Sequence, residues 1–99
     1  MERQMVGIHE ELEAAKQAWK VISTLSTAAL NWNVVAALRS AGSVATNAIT
    51  TFPSEGSLND ARQKVGIALA NLIRGPLTQA KIDKAKGAIG VWMMELLQH

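Results

Sequence analysis

Residues 57–97 read SLNDARQKVGIALANLIRGPLTQAKIDKAKGAIGVWMMELL, and this stretch decides the fold. Leu58, Ala61, Val65, Ala68, Leu69 and Leu72 recur at three- and four-residue intervals. That spacing places side chains on one face of an α-helix. Gly75-Pro76 then stops the pattern, because glycine suits a helix C-terminus and proline prevents continuation. Beyond it Thr78 is placed to cap a second helix. There Ile82, Ala85, Ile89, Trp92 and Leu96 again alternate threes and fours. Two amphipathic helices separated by a tight break predict an antiparallel pair. Ser57 is read as the cap of the first, its hydroxyl accepting from the amide three residues on, and Asp60 favours the positive end of the helix dipole. Gly87 and Gly90 each lower helix propensity by up to about 1 kcal/mol relative to alanine. Either packing compensates for them or the helix breaks there.

Working towards the N-terminus, Phe52-Pro53-Ser54-Glu55-Gly56-Ser57 is a turn cluster holding both proline and glycine. Before it, Val34, Leu38, Ala41, Ala45, Ala48 and Phe52 share a face lined by small residues, with Asn33 placed to cap. Residues 4–30 carry Met5, Ile8, Leu12, Ala15, Trp19, Ile22, Ser26 and Ala29 at heptad spacing. Glu10, Glu13, Lys16, Gln17 and Lys20 lie opposite, with Glu13 and Lys16 three residues apart on an exposed face. The best strand candidate, residues 49–52, is short and lacks a partner pattern. The expectation is an all-α protein: one domain over residues 1–99, a small antiparallel bundle of about four helices, with breaks near 23–33, 53–57 and 75–77.

The chain has 99 residues, of which 18% are charged, against about 25% in a typical globular chain. A small domain with few ionised groups favours partners or self-association. There is no cysteine, so disulfides, thiolate chemistry and cysteine metal sites are excluded. A net charge of +2 is too weak to indicate nucleic-acid binding by itself. The N-terminus turns acidic early and lacks a long apolar run, so no signal peptide is expected. The expected location is cytoplasmic or virion-associated.

Between Val21 and Pro53 the sole charge is Arg39. Two readings follow. Either these helices are the most buried part of the bundle, or part of their surface is buried on association, since charge is depleted at interface cores. On the second reading Trp32, Val35, Leu38 and Phe52 are the candidate anchors, and the partner is a copy of the chain or one target protein. A phage or secretion-apparatus accessory subunit is one such case. The Trp-x-Gly motif of small helical-hairpin secreted proteins is missing, because Trp32 is followed by Asn33 and Val34. A membrane span needs about 20 mostly apolar residues. Residues 21–38 contain Asn31 and Asn33, which are costly in lipid, so a holin-like membrane protein is a second alternative. Trp19 and Trp92 occupy seam positions and are expected to join the two ends of the chain in the core. Trp32 is expected to plug the end of the bundle, with an exposed anchor as the other possibility.

Catalytic constellations are lacking. His9 and Glu13 lie one turn apart, but zinc needs three or four ligands. Glu10 and Glu11 are read as pointing elsewhere in a solvated acidic turn. The serines read as caps or packing residues, without a nucleophile elbow. The acids sit on one solvated helix face and the glycines form no phosphate loop. A non-enzyme with no cofactor and no metal is therefore expected.

One resemblance is carried by Leu77, Thr78, Gln79, Ile82 and Gly87. The stretch around them resembles the first helices of repressor-type helix-turn-helix proteins. In that family a helix ends, Leu-Thr-Gln opens the next, and a glycine makes the turn before recognition. The likeness implies a DNA-binding regulator built on residues 65–97, with Arg62, Lys81 and Lys84 contacting nucleic acid and Ala88 to Leu97 as the recognition helix. Asp83 and Lys86 depart from the family pattern, and the recognition segment is apolar.

Overall fold

The computed structural model describes residues 2–25, 30–52, 54 and 56–98, with side chains from Ile8 onward. Expectations that fall on the side chain of Met5 and on Ser26, Ala29, Pro53 and His99 lie outside the described residues. Among the described residues four helices follow one another: α1 (Glu2–Ser23), α2 (Trp32–Thr51), α3 (Ser57–Leu72) and α4 (Gln79–Leu97). Each packs against the next and α4 returns to α1, which closes an antiparallel four-helix bundle of 44 × 23 × 19 Å. The breaks fall where Gly, Pro and capping residues put them.

The stripes read from the sequence form the core. On α2 it is Leu38, Ala41, Ala45 and Ala48. On α3 it is Leu58, Ala61, Val65, Ala68, Leu69 and Leu72, and on α4 Ile82, Ala85, Ile89, Trp92 and Leu96. Helix α1 is turned slightly from the expected stripe. Its buried line is Glu11, Ala15, Ala18 and Ile22, with Ile8, Leu12 and Trp19 only partly covered. Small alanines let α1 approach closely, and the indole of Trp92, fully enclosed, fills the space between.

The ends correct two capping assignments. Asn31, not Asn33, caps α2: its Oδ1 accepts from the Val34 amide at 2.9 Å. Gly56 is the N-cap of α3 at φ 71°, a left-handed conformation that glycine adopts without strain. Ser57, one residue inside the helix, donates instead to Glu95 Oε1 at 2.6 Å, tying the start of α3 to the end of α4. Thr78 caps α4 as expected, accepting from the Lys81 amide. Gly75, also at φ 71°, turns the chain between α3 and α4.

Helix α4 runs unbroken through Gly87 and Gly90, and the two glycines differ. Trp19 lies over Gly90, where an added Cβ would come 3.2 Å from the indole. At Gly87 an added Cβ meets nothing within 4 Å. At Gly66 it would sit 2.7 Å from Thr46 Cγ2 across the α2–α3 contact. Thr46 is stiff at χ1 and its hydroxyl is held on the Gly42 carbonyl. Gly66→Ala should therefore cost about 1–3 kcal/mol through overpacking, whereas Gly87→Ala should gain up to about 1 kcal/mol from helix propensity. Urea unfolding of the two variants checks both signs, and Thr46→Ala should relieve Gly66→Ala.

Candidate functional site

Two features stand out from the alanine-leucine background. The first is inside. Glu11 and Arg62 are each 1% exposed. The Arg62 guanidinium grips the carboxylate in a fork, Nη2 donating to Oε1 and Nε to Oε2, both at 2.7 Å. Trp92 Nε1 donates to Glu11 Oε2, also at 2.7 Å. The remaining arm, Nη1, donates to the Phe52 carbonyl and Asn59 Oδ1 at 3.0 Å and to Ser54 Oγ at 3.3 Å. One constellation thus joins α1, the end of α2, α3 and α4. Among the described residues no buried side-chain nitrogen or oxygen lacks a partner. Glu11, Arg62 and Trp92 are closed to solvent, and the partners of Nη1 at Phe52, Ser54 and Asn59 are partly buried, so the network ties the four helices together.

Glu11 is thus not part of a solvated acidic turn, and Arg62 is not a surface cation for nucleic acid. The signal was in the spacing. Glu11 continues the Ala15-Ala18-Ile22 line, and Arg62 sits inside the Leu58-Val65-Leu69 stripe. Opposite charges on two buried seams cancel. Losing one hydrogen bond of the network should still be felt: Trp92→Phe removes the indole donor and some core volume, and should cost about 2–4 kcal/mol by thermal unfolding.

The second feature is outside, between α3 and α4. A groove of about 450 Å³ has Ala61, Ala68, Gly87 and Ala88 as its floor, Ile67 and Val91 on its sides, and Lys64 and Lys84 at its edge. It continues past Ala68 and Lys84 into a hollow of about 310 Å³ bounded by Asn71, Arg74 and Lys81. Ile67 and Val91 are large apolar side chains left exposed on this face, and Met94 and Leu97 are exposed further along α4. The Lys81 ammonium donates to the carbonyls of Arg74 and Pro76, neutralising the C-terminal end of α3. Among the described residues the ion pairs are Lys16–Glu13 and Arg62–Glu11. Lys64, Arg74 and Lys84 are therefore not paired with any described acid.

The expected interface residues do not form one patch. Trp32 is 74% exposed at the first turn of α2, so it does not plug the bundle. Leu38 is 0% exposed and belongs to the protomer's core, which removes it as an anchor. Val35 and Phe52 are partly buried. Trp32 and Phe52 lie at opposite ends of a helix roughly 30 Å long. The rest of the outer face of α2 is polar and carries one charge: Arg39, Ser43, Thr46, Asn47 and Thr50 are exposed. Thr46 and Thr50 turn their hydroxyls back onto carbonyls of their own helix. The turn expected at Gly87 does not form, and of the three residues expected to contact DNA only Lys81 and Lys84 reach the surface. Trp92 lies in the core as expected, whereas Trp19 sits at its edge with the Lys86 ammonium 5.1 Å from the ring centroid.

Among the described residues, no group of three or more His, Asp or Glu side chains is placed to hold a metal, and no helix is long and apolar enough to cross a membrane. No protein-family model, curated protein or solved structure matches the chain.

Proposed function

We propose that this chain is a non-catalytic interaction module that works by protein–protein contact through the outer face of α3 and α4. It would act in the cytoplasm or on a virion as an accessory or adaptor subunit. The observation that supports this is the pairing of exposed Ile67 and Val91 along one groove, with Met94 exposed one helical turn beyond Val91. Lone exposed apolar residues are ordinary on a protein surface, but a contiguous set along a concavity marks a binding surface. The low-charge middle of the sequence, where the contact was first expected, divides between core and a hydroxyl-covered face. This supports a contact surface later in the chain.

A photo-crosslinking scan tests the reading. A benzophenone side chain is placed at Ile67, Val91 or Met94, and in parallel at Thr46 or Thr50 on α2, in the cells that make the chain. Discrete polypeptide adducts are expected from the first set and not from the second. Adducts only from α2, nucleic acid as the adduct, or no adduct from either set would contradict it.

A further inference from the structure

We infer that the occupant of the α3–α4 groove is an acidic amphipathic helix of a partner protein, its apolar ridge over Ala68 and Ala88 and its carboxylates beside Lys64, Lys84 and Arg74. The inference rests on the reading of this face as the working surface and adds the chemistry of what it takes.

Shape and charge point the same way. The floor is built of small residues with Ile67 and Val91 rising beside it, which suits a helix ridge. From Ala61 to Arg74 the path along α3 is about 20 Å, between three and four turns of a docked helix. Apolar anchors at i, i+3 or i+4, and i+7 fit such a length. The charge lies at the edge and is of one sign. Complementary charge flanking an apolar seam sets partner choice. A second copy fits less well, because a two-fold contact opposes identical patches and would bring these cations together. The chain's own acidic helix, α1, is occupied in the bundle. A bilayer is flat and calls for protruding apolar side chains, and an alanine floor offers a duplex no donors.

Selection of a displayed library of random amphipathic peptides, roughly 16 residues long to match the groove, on the full-length chain tests this. The enriched peptides are expected to be net negative, with apolar residues at helical spacing. Their affinity should fall with salt and drop at least about tenfold in Lys64→Glu/Lys84→Glu. Gly87→Leu, placed where an added Cβ meets nothing within 4 Å, should fill the groove and abolish their enrichment while leaving thermal unfolding unchanged or raised. Enrichment of neutral or basic peptides would overturn the inference, as would affinity indifferent to either variant, or no enrichment at all. So would preferential binding of the chain to phosphatidylglycerol vesicles or duplex DNA through these lysines, or a dimer in sedimentation equilibrium that the Gly87→Leu variant disrupts. If the Val91 and Met94 crosslinkers capture polypeptide while selection yields basic or neutral sequences, the face stands and its assigned chemistry fails. If neither captures anything, both fail.

Discussion

Glu11→Leu is expected to cost about 3–5 kcal/mol of folding stability, the range for stripping one partner from a buried ion pair. The side chain changes little in volume, so the loss is electrostatic. Arg62 is left charged and 1% exposed with its fork empty, and the Trp92 indole loses its acceptor. A domain of this size has about 5–15 kcal/mol in all. The midpoint should therefore fall on the order of 12–40 °C, taking 4–8 °C per kcal/mol. A second variant separates the ion pair from simple repacking. In Glu11→Leu/Arg62→Met the uncompensated charge is gone, and what remains is an unpartnered indole N–H and the Phe52 carbonyl and Asn59 Oδ1 that Nη1 had served. The double variant should be clearly less destabilised than the sum of the two single ones, by 1 kcal/mol or more. Strict additivity in calorimetry would contradict the network as described.

Ile67→Glu with Val91→Glu should do the reverse: leave the fold intact and remove binding. Both positions are exposed, and surface changes of that kind usually stay within about 0.5 kcal/mol. The new carboxylates would lie along the same groove as Lys64 and Lys84, which if anything favours the folded state. The same carboxylates would repel an acidic occupant and remove two apolar anchors. Anchor residues at interfaces are often worth 2 kcal/mol or more each, so affinity should fall at least about thirtyfold at unchanged melting temperature. Circular dichroism with a binding titration reads both halves.

The helices and their core were legible because their information is local. The recurrence of Leu58, Val65, Leu69 and Leu72, or of Ile82, Ile89, Trp92 and Leu96, needs only a helical period to interpret. The break residues are equally local, apart from Asn33 and Ser57, whose capping roles fall to Asn31 and Gly56. The interior network was not legible. Its meaning depends on a charge on α1 meeting a charge on α3, and a single acid on a seam reads as solvated until its counter-charge is found. The α3–α4 groove was not legible for a related reason. Low charge between Val21 and Pro53 suggested a surface buried on association, but the outer face of α2 is polar, with the Thr46 and Thr50 hydroxyls satisfied within the helix. Conversely, Lys64 and Lys84 made α3 and α4 look solvated, although those cations only border exposed Ile67 and Val91.

The most direct test of where the molecule does its work compares two charge pairs against one reporter, a benzophenone at Met94. Ile67→Glu/Val91→Glu should eliminate the polypeptide adduct, while Ser43→Glu/Thr50→Glu on the outer face of α2 should leave its yield unchanged. Loss of the adduct from the α2 pair with retention in the groove pair would place the working surface where the sequence first suggested it, and contradict the account given by the fold.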